Sequence, residues 1–81
     1  MDITIYSLPT CEFCNLTKEY FNGKKIPFIE VNVSADQKAQ REMLEKSGQF
    51  SVPVVDINGY VVVGYQRHIF DQLLNSNALE F

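Results

Sequence analysis

Two cysteines and a single histidine are the whole supply of thiolate and imidazole ligands in this sequence. A structural zinc site takes four such ligands, usually a second cysteine pair or paired histidines. With only His68 left over, an intramolecular structural zinc site is nearly excluded. Two cysteines are also too few for a small secreted fold stapled by disulfides. Basic residues are scarce: 7 Lys and Arg against 10 Asp and Glu give a net charge of −3. Phosphate backbones are held by basic patches, and the adjacent Lys24 and Lys25 read as a solvated helix end, so no nucleic acid is expected as a partner. No window approaches the roughly 18 apolar residues of a membrane span, so no membrane is expected either. Met1-Asp2-Ile3-Thr4 has neither the basic nor the apolar region of a secretory signal. Repeats, low-complexity tracts and linkers are missing too. The 81 residues, 46% of them hydrophobic, fit one small domain over residues 1–81 with a single modest core. A cysteine pair without an export signal points to a reducing, cytoplasmic compartment, where such a pair is more often catalytic or metal-binding than structural.

What is present is led by Cys11-Glu12-Phe13-Cys14. Ile3-Thr4-Ile5-Tyr6 alternates as a strand, Ser7-Leu8-Pro9-Thr10 breaks it, and the cysteines follow at once. Apolar residues then recur at Phe13, Leu16, Tyr20 and Phe21, the spacing of a helix face. Cys11 is therefore expected at a helix N-terminus, where unpaired N–H groups and the macrodipole favour negative charge. A thiol there is biased toward thiolate, the form that attacks disulfides. The two-residue separation lets the second sulfur close a small ring once the first has reacted. These features describe a thiol–disulfide exchange module.

Further along, Asn22-Gly23-Lys24-Lys25 is a helix stop, with Gly23 placed for a left-handed cap. Phe28 to Val33 reads as a second strand. Ser34 to Gln37 has the spacing of a capping box that opens a helix reaching about Lys46 and ending at Ser47-Gly48; its apolar stripe is Ala39, Met43 and Leu44. Val54 to Ile57, Asn58-Gly59 and Tyr60 to Val63 form a hairpin signal, because Asn-Gly suits a type I′ turn. Gly64 to Arg67 leads into a last helix carrying Ile69, Phe70, Leu73 and Leu74. The order β-α-β-α-β-β-α implies a parallel pair with a right-handed crossover, an antiparallel edge and a four-stranded mixed sheet with helices on its faces. The cysteines then occupy the first strand-to-helix turn, at the carboxyl edge of the sheet, where open α/β folds place their chemistry.

With Tyr6-Ser7-Leu8-Pro9-Thr10-Cys11-Glu12-Phe13-Cys14, then Ser51-Val52-Pro53 before the hairpin and Gly64 after it, the chain resembles the glutaredoxin family over essentially its whole length. The resemblance implies a thioredoxin fold, a dithiol oxidoreductase, and a cis proline at Pro53 facing the cysteines. It implies no bound cofactor, glutathione as a possible co-substrate, and disulfide-containing or glutathionylated proteins as substrates of a monomer. By the same resemblance, Thr10, Val52, Pro53, Gly64, Tyr65, Gln66 and Arg67 are candidates to bind glutathione or a partner protein. The departures matter as well. Many members have proline and tyrosine where Glu12 and Phe13 stand. Glutathione-binding members often carry lysine at the position of Leu8 and a basic or amide residue near Phe50. Gly64-Tyr65-Gln66-Arg67-His68 replaces their Gly-Gly-x-Asp-Asp and is similar to the redoxins that take electrons from thioredoxin reductase and serve ribonucleotide reductase. A reading from another class is a module in which two chains share an iron–sulfur cluster through Cys11 and glutathione.

Cys11, the more N-terminal cysteine and the one expected to be more exposed, is the expected nucleophile, and Cys14 the resolving thiol. Glu12 and Phe13 are the candidate tuning residues. Glu12 supports the first helical turn, yet its carboxylate disfavours a neighbouring thiolate and so makes the couple more reducing. Phe13, Phe50 and Tyr65 read either as core or as an apolar rim for a partner, with Tyr65 the better surface candidate. His68 reads as a helix-surface residue. Arg67 is either an ordinary solvated arginine or the partner of a carboxylate.

Overall fold

Ile5 sits at the centre of the sheet, paired with Glu30 on one side and Val55 on the other. The computed structural model describes residues 2–79. Its elements are β1 (Ile3–Ser7), α1 (Glu12–Gly23), β2 (Ile29–Asn32), α2 (Gln37–Ser47), β3 (Val54–Ile57), β4 (Tyr60–Val63) and α3 (Arg67–Leu79). The sheet order is β2-β1-β3-β4, with β1 and β2 parallel and the other two pairs antiparallel. This is the mixed four-stranded α/β arrangement expected from the element order.

Alternation along β1 sends successive side chains to opposite faces. Ile3 and Ile5 join Val55, Ile57 and Val62 in one core layer, closed by Phe21 of α1 and Phe70 of α3. Tyr6 and Val54 point the other way and pack with Val33 and with Ala39 and Met43 of α2. Helices α1 and α3 thus cover one face and α2 the other. Phe21 and Phe70 are fully buried, each contributing about 1.5–3 kcal/mol of hydrophobic stabilisation. Tyr20 adds a polar tie: its hydroxyl donates to Asp71 Oδ1 and joins α1 to α3. Burial and that carboxylate push its titration well above the usual tyrosine range. On the opposite face, Lys46 Nζ donates to Asp56 Oδ2 at 2.8 Å and to the Tyr6 hydroxyl at 2.9 Å. The hydrogen bond to Asp56, then that to Tyr6, pushes Lys46 up to about 12.

The Asn58-Gly59 turn forms as expected, with φ of 51° and 94° at its two residues. Several local expectations are corrected. Gly23 stays within α1; the chain leaves the helix through Lys24, and the left-handed residue is Lys25, with φ 58°. The second strand is shorter than Phe28 to Val33. Phe28 instead packs against the core that holds Phe21. Asp36, not Ser34, caps α2, accepting from the Lys38 and Ala39 amides. Ser34 is diverted because its amide and hydroxyl both donate to Asn32 Oδ1. Gly48 ends α2 in the left-handed conformation. The buried face of α1 is Cys14, Thr17 and Phe21, one residue round from the stripe read from Phe13, so Phe13 lies outside the core. Leu44 likewise sits at the exposed margin of α2.

Candidate active site

Strand β1 delivers the chain to the carboxyl edge of the sheet, and residues 8–10 turn it into α1. The Cys11 amide closes that turn by donating to the Leu8 carbonyl at 3.3 Å. Cys11 is the N-cap of α1, with extended backbone at φ −93° and ψ 115°. Its carbonyl accepts the first helical bond, from the Asn15 amide at 3.2 Å. Its sulfur does what a capping oxygen does elsewhere: Sγ accepts the Cys14 amide at 3.1 Å. Cys11 and Cys14 are disulfide-bonded, with Cα atoms 5.2 Å apart. Cys11 is partly exposed, whereas Cys14 is wholly buried. An incoming sulfur can therefore approach only the first of the pair. A negative charge on Cys11 Sγ would face a backbone N–H and the positive end of the helix, which are the features that depress a thiol's pKa.

Glu12 is the exposed first residue of α1 and Phe13, 58% exposed, follows it. Thr17 locks this turn from inside, donating its hydroxyl to the Phe13 carbonyl at 2.8 Å. Phe13 forms one wall of a shallow groove of about 360 Å³, completed by Val52, Pro53, Val63, Gly64, Tyr65 and Gln66. The Val52–Pro53 peptide is cis. Gln49 fixes the loop before it, accepting from the Ser51 amide at 2.6 Å and donating to the Ser47 hydroxyl at 3.0 Å. That loop presents Phe50 to solvent at 65% exposure. Gln66 Nε2 donates to the Val63 carbonyl at 2.8 Å.

The structure gathers Val52, Pro53, Gly64, Tyr65 and Gln66 on one groove beside the cysteine-bearing turn. It does not bring Thr10 or Arg67 into that groove. Thr10 is exposed on the turn before Cys11. Arg67 lines a separate hollow with Leu16, Glu19, Tyr20, Lys24 and Tyr65. Tyr65 is less of a surface residue than its turn position implied, since its ring meets Phe70 edge-on at 6.3 Å. Leu8 is half-buried against the α2-side core.

Sequence reasoning missed a polar cluster that ties β1, α1 and β2 together. Glu30 Oε2 accepts both Lys18 Nζ at 2.8 Å and the Ser7 hydroxyl at 3.0 Å. The one available signal was Ser7 itself, a polar residue where the Ile3, Ile5 alternation calls for a third core side chain.

The glutaredoxin family model matches residues 3–62. A glutaredoxin-like 8.6 kDa protein from the rubredoxin operon of Clostridium pasteurianum is 46% identical over 72 residues, covering 89% of this chain and 96% of that one. Among solved structures, the thioredoxin-like protein BC3987 superposes with a TM-score of 0.82 at 32% identity, over 88% of this chain and 97% of its own. The glutaredoxin-like NrdH-redoxin of Escherichia coli, described as having a thioredoxin-like activity profile, superposes with a TM-score of 0.79 at 29% identity, over 90% and 95% of the two chains.

Proposed function

The chain belongs to the glutaredoxin family, within the thioredoxin fold, and on that premise we propose that it is a dithiol thiol–disulfide oxidoreductase. The observation that carries this reading is Cys11 at the helix N-cap with Sγ held by the Cys14 amide at 3.1 Å. In the reduced protein the Cys11 thiolate attacks one sulfur of a substrate disulfide, forming a mixed disulfide and expelling the other sulfur as a thiolate that takes up a proton. Cys14 then loses its proton and attacks Cys11 Sγ. The Cys11–Cys14 bond forms, the mixed disulfide breaks, and the substrate leaves as a dithiol. Two electrons pass from protein to substrate. Without a supply of reducing equivalents the cycle stops there, so the identity of the donor defines the protein's place among its relatives.

The groove favours a protein donor over glutathione. Its walls are chiefly apolar, Phe50 stands exposed in the loop before Pro53, and Leu8 turns inward. A glutathione carboxylate set against such side chains loses hydration without gaining a hydrogen bond, a cost of about 1–3 kcal/mol. We therefore assign re-reduction to a flavoenzyme such as thioredoxin reductase. Ribonucleotide reductase is a candidate acceptor by analogy with the redoxins, and glutathione is a weak co-substrate. A reducing compartment suits this role. The test is turnover of a disulfide substrate with thioredoxin reductase and NADPH, set against turnover with glutathione, its reductase and NADPH. The expected result is turnover largely confined to the first arm. Fast glutathione-coupled turnover at low glutathione concentration would assign the protein to the ordinary glutaredoxins. A coloured protein that loses its colour with added chelator would favour the shared iron–sulfur cluster instead.

A further inference from the structure

Ser7 is 1% exposed at the end of a strand whose preceding core positions, Ile3 and Ile5, are both isoleucine. A buried hydroxyl needs a partner, and the partner here is a charge. Ser7 donates to Glu30 Oε2, and that same oxygen takes Lys18 Nζ from α1. Three elements thus meet on one carboxylate oxygen: the strand that leads into the cysteines, the helix they begin, and the edge strand β2. Lys18 lies four residues after Cys14 on α1, a spacing that sets the two Cβ atoms about 5–6 Å apart. Cys14, Thr17 and Ser7 are themselves buried, whereas the side chains of Lys18 and Glu30 are 23% and 44% exposed. Glu30 is held ionised, its carboxyl lowered below the ordinary range by the hydrogen bond from Lys18, against an opposing effect of burial and with help from Ser7.

We propose that the Lys18–Glu30 pair, clamped to Ser7, is a charge-balanced positioning device that sets the redox poise of the Cys11–Cys14 couple. The proposal rests on the oxidoreductase reading above. Reduction of the couple by a dithiol breaks the S–S bond, transfers two electrons and two protons to the protein, and closes the donor's own disulfide. One of the resulting thiols then gives up its proton to become the working thiolate. A lone ammonium one helical turn beyond Cys14 stabilises a thiolate of the pair and with it the reduced form; a lone carboxylate there does the opposite. In the intact pair the two effects oppose each other. The remaining charge at this end of α1, Glu12, is the same in every variant below and cancels from the comparison.

The experiment is equilibration of each variant with dithiothreitol redox buffers, the oxidised fraction being read by alkylation and mass spectrometry. Thiolate absorbance is followed against pH alongside. Glu30→Gln keeps an acceptor for Ser7 and leaves Lys18 unopposed. It should shift the equilibrium about threefold to tenfold toward the reduced protein and lower the thiol titration; tenfold is about 30 mV for this two-electron couple. Lys18→Met should shift both in the opposite sense, and the double variant should return close to the wild type. Lys18→Gln is the substitute if Lys18→Met lowers stability. Single variants that move the potential in the same direction, or not at all, in a protein whose wild type turns over disulfides would overturn the tuning proposal alone. A wild type that exchanges with none of the buffers would overturn the oxidoreductase reading and the proposal with it.

Discussion

The Gly64 amide donates to the Pro53 carbonyl at 2.7 Å, joining the loop before α3 to the loop that carries the cis proline. Both residues line the groove beside the cysteines, so this bond fixes the groove's far wall. Gly64 makes it at φ 90°, a left-handed conformation in which a side chain is strained even though an added Cβ would meet no neighbour. Gly64→Ala should therefore cost about 1–3 kcal/mol of stability and lower turnover of a protein substrate. Denaturant midpoints and steady-state rates check the two effects. An unchanged midpoint would mean that the loop accommodates the alanine by moving.

The exposure of Cys11 and the burial of Cys14 assign different losses to the two cysteine variants. Cys11→Ser should abolish every exchange activity. Cys14→Ser should stop reduction of protein disulfides but keep any removal of glutathione from a mixed disulfide, a step that needs only the attacking thiol. Assaying both variants on both kinds of substrate decides the matter, and equal losses throughout would refute the division of roles.

Glu12 sits on the same helix end that favours the Cys11 thiolate. Replacing it with glutamine removes a competing charge while keeping size and helix propensity. The Cys11 thiolate should then form at lower pH, and the couple should become more oxidising. An identical thiolate titration in the variant would show that the exposed carboxylate is screened by solvent.

If the apolar groove is what disfavours glutathione, restoring polar contacts should recover it. The double variant Leu8→Lys and Phe50→Gln should raise the efficiency of glutathione-coupled turnover tenfold or more, since one recovered carboxylate contact already corresponds to about that factor in affinity. The thioredoxin reductase arm serves as the control. A gain in both arms would indicate a general change in reactivity instead of a new glutathione contact.

Lys46 governs an alkaline limit. Its ordinary value is 10.5 and the folded value is about 12. With a raised folded value, the stabilisation is fully present below the unfolded value and is lost as pH rises through the folded one. Stability measured by chemical denaturation should therefore decline between about pH 10.5 and 12, and Lys46→Met should flatten that part of the profile. Tyr20, raised by burial and by Asp71, contributes a decline of the same sign, so Tyr20→Phe should remove a further part of the slope.

By itself the sequence determined the features whose causes lie within a few residues. Asn58-Gly59 makes its hairpin because both positions need positive φ. Cys11 becomes a helix cap because a strand, a break and a helical period follow one another directly, and the fold class follows from that order of elements. Where two local solutions were nearly equivalent, tertiary context chose between them. Ser34 and Asp36 both suit the cap of α2, and Asp36 takes it once Asn32 engages the Ser34 hydroxyl. Helix periodicity found a face on α1, but packing against the sheet rotated it to Cys14, Thr17 and Phe21 and left Phe13 free to wall the groove. The Ser7–Glu30–Lys18 cluster was beyond sequence reading, because its members come from three elements and meet only when the parallel strands pair beneath α1. The same holds for the groove itself, whose walls come from the start of α1, the proline loop and the loop before α3. Short-range patterns encode which backbone forms; which side chains then share a carboxylate or a cleft depends on how the packed layers register.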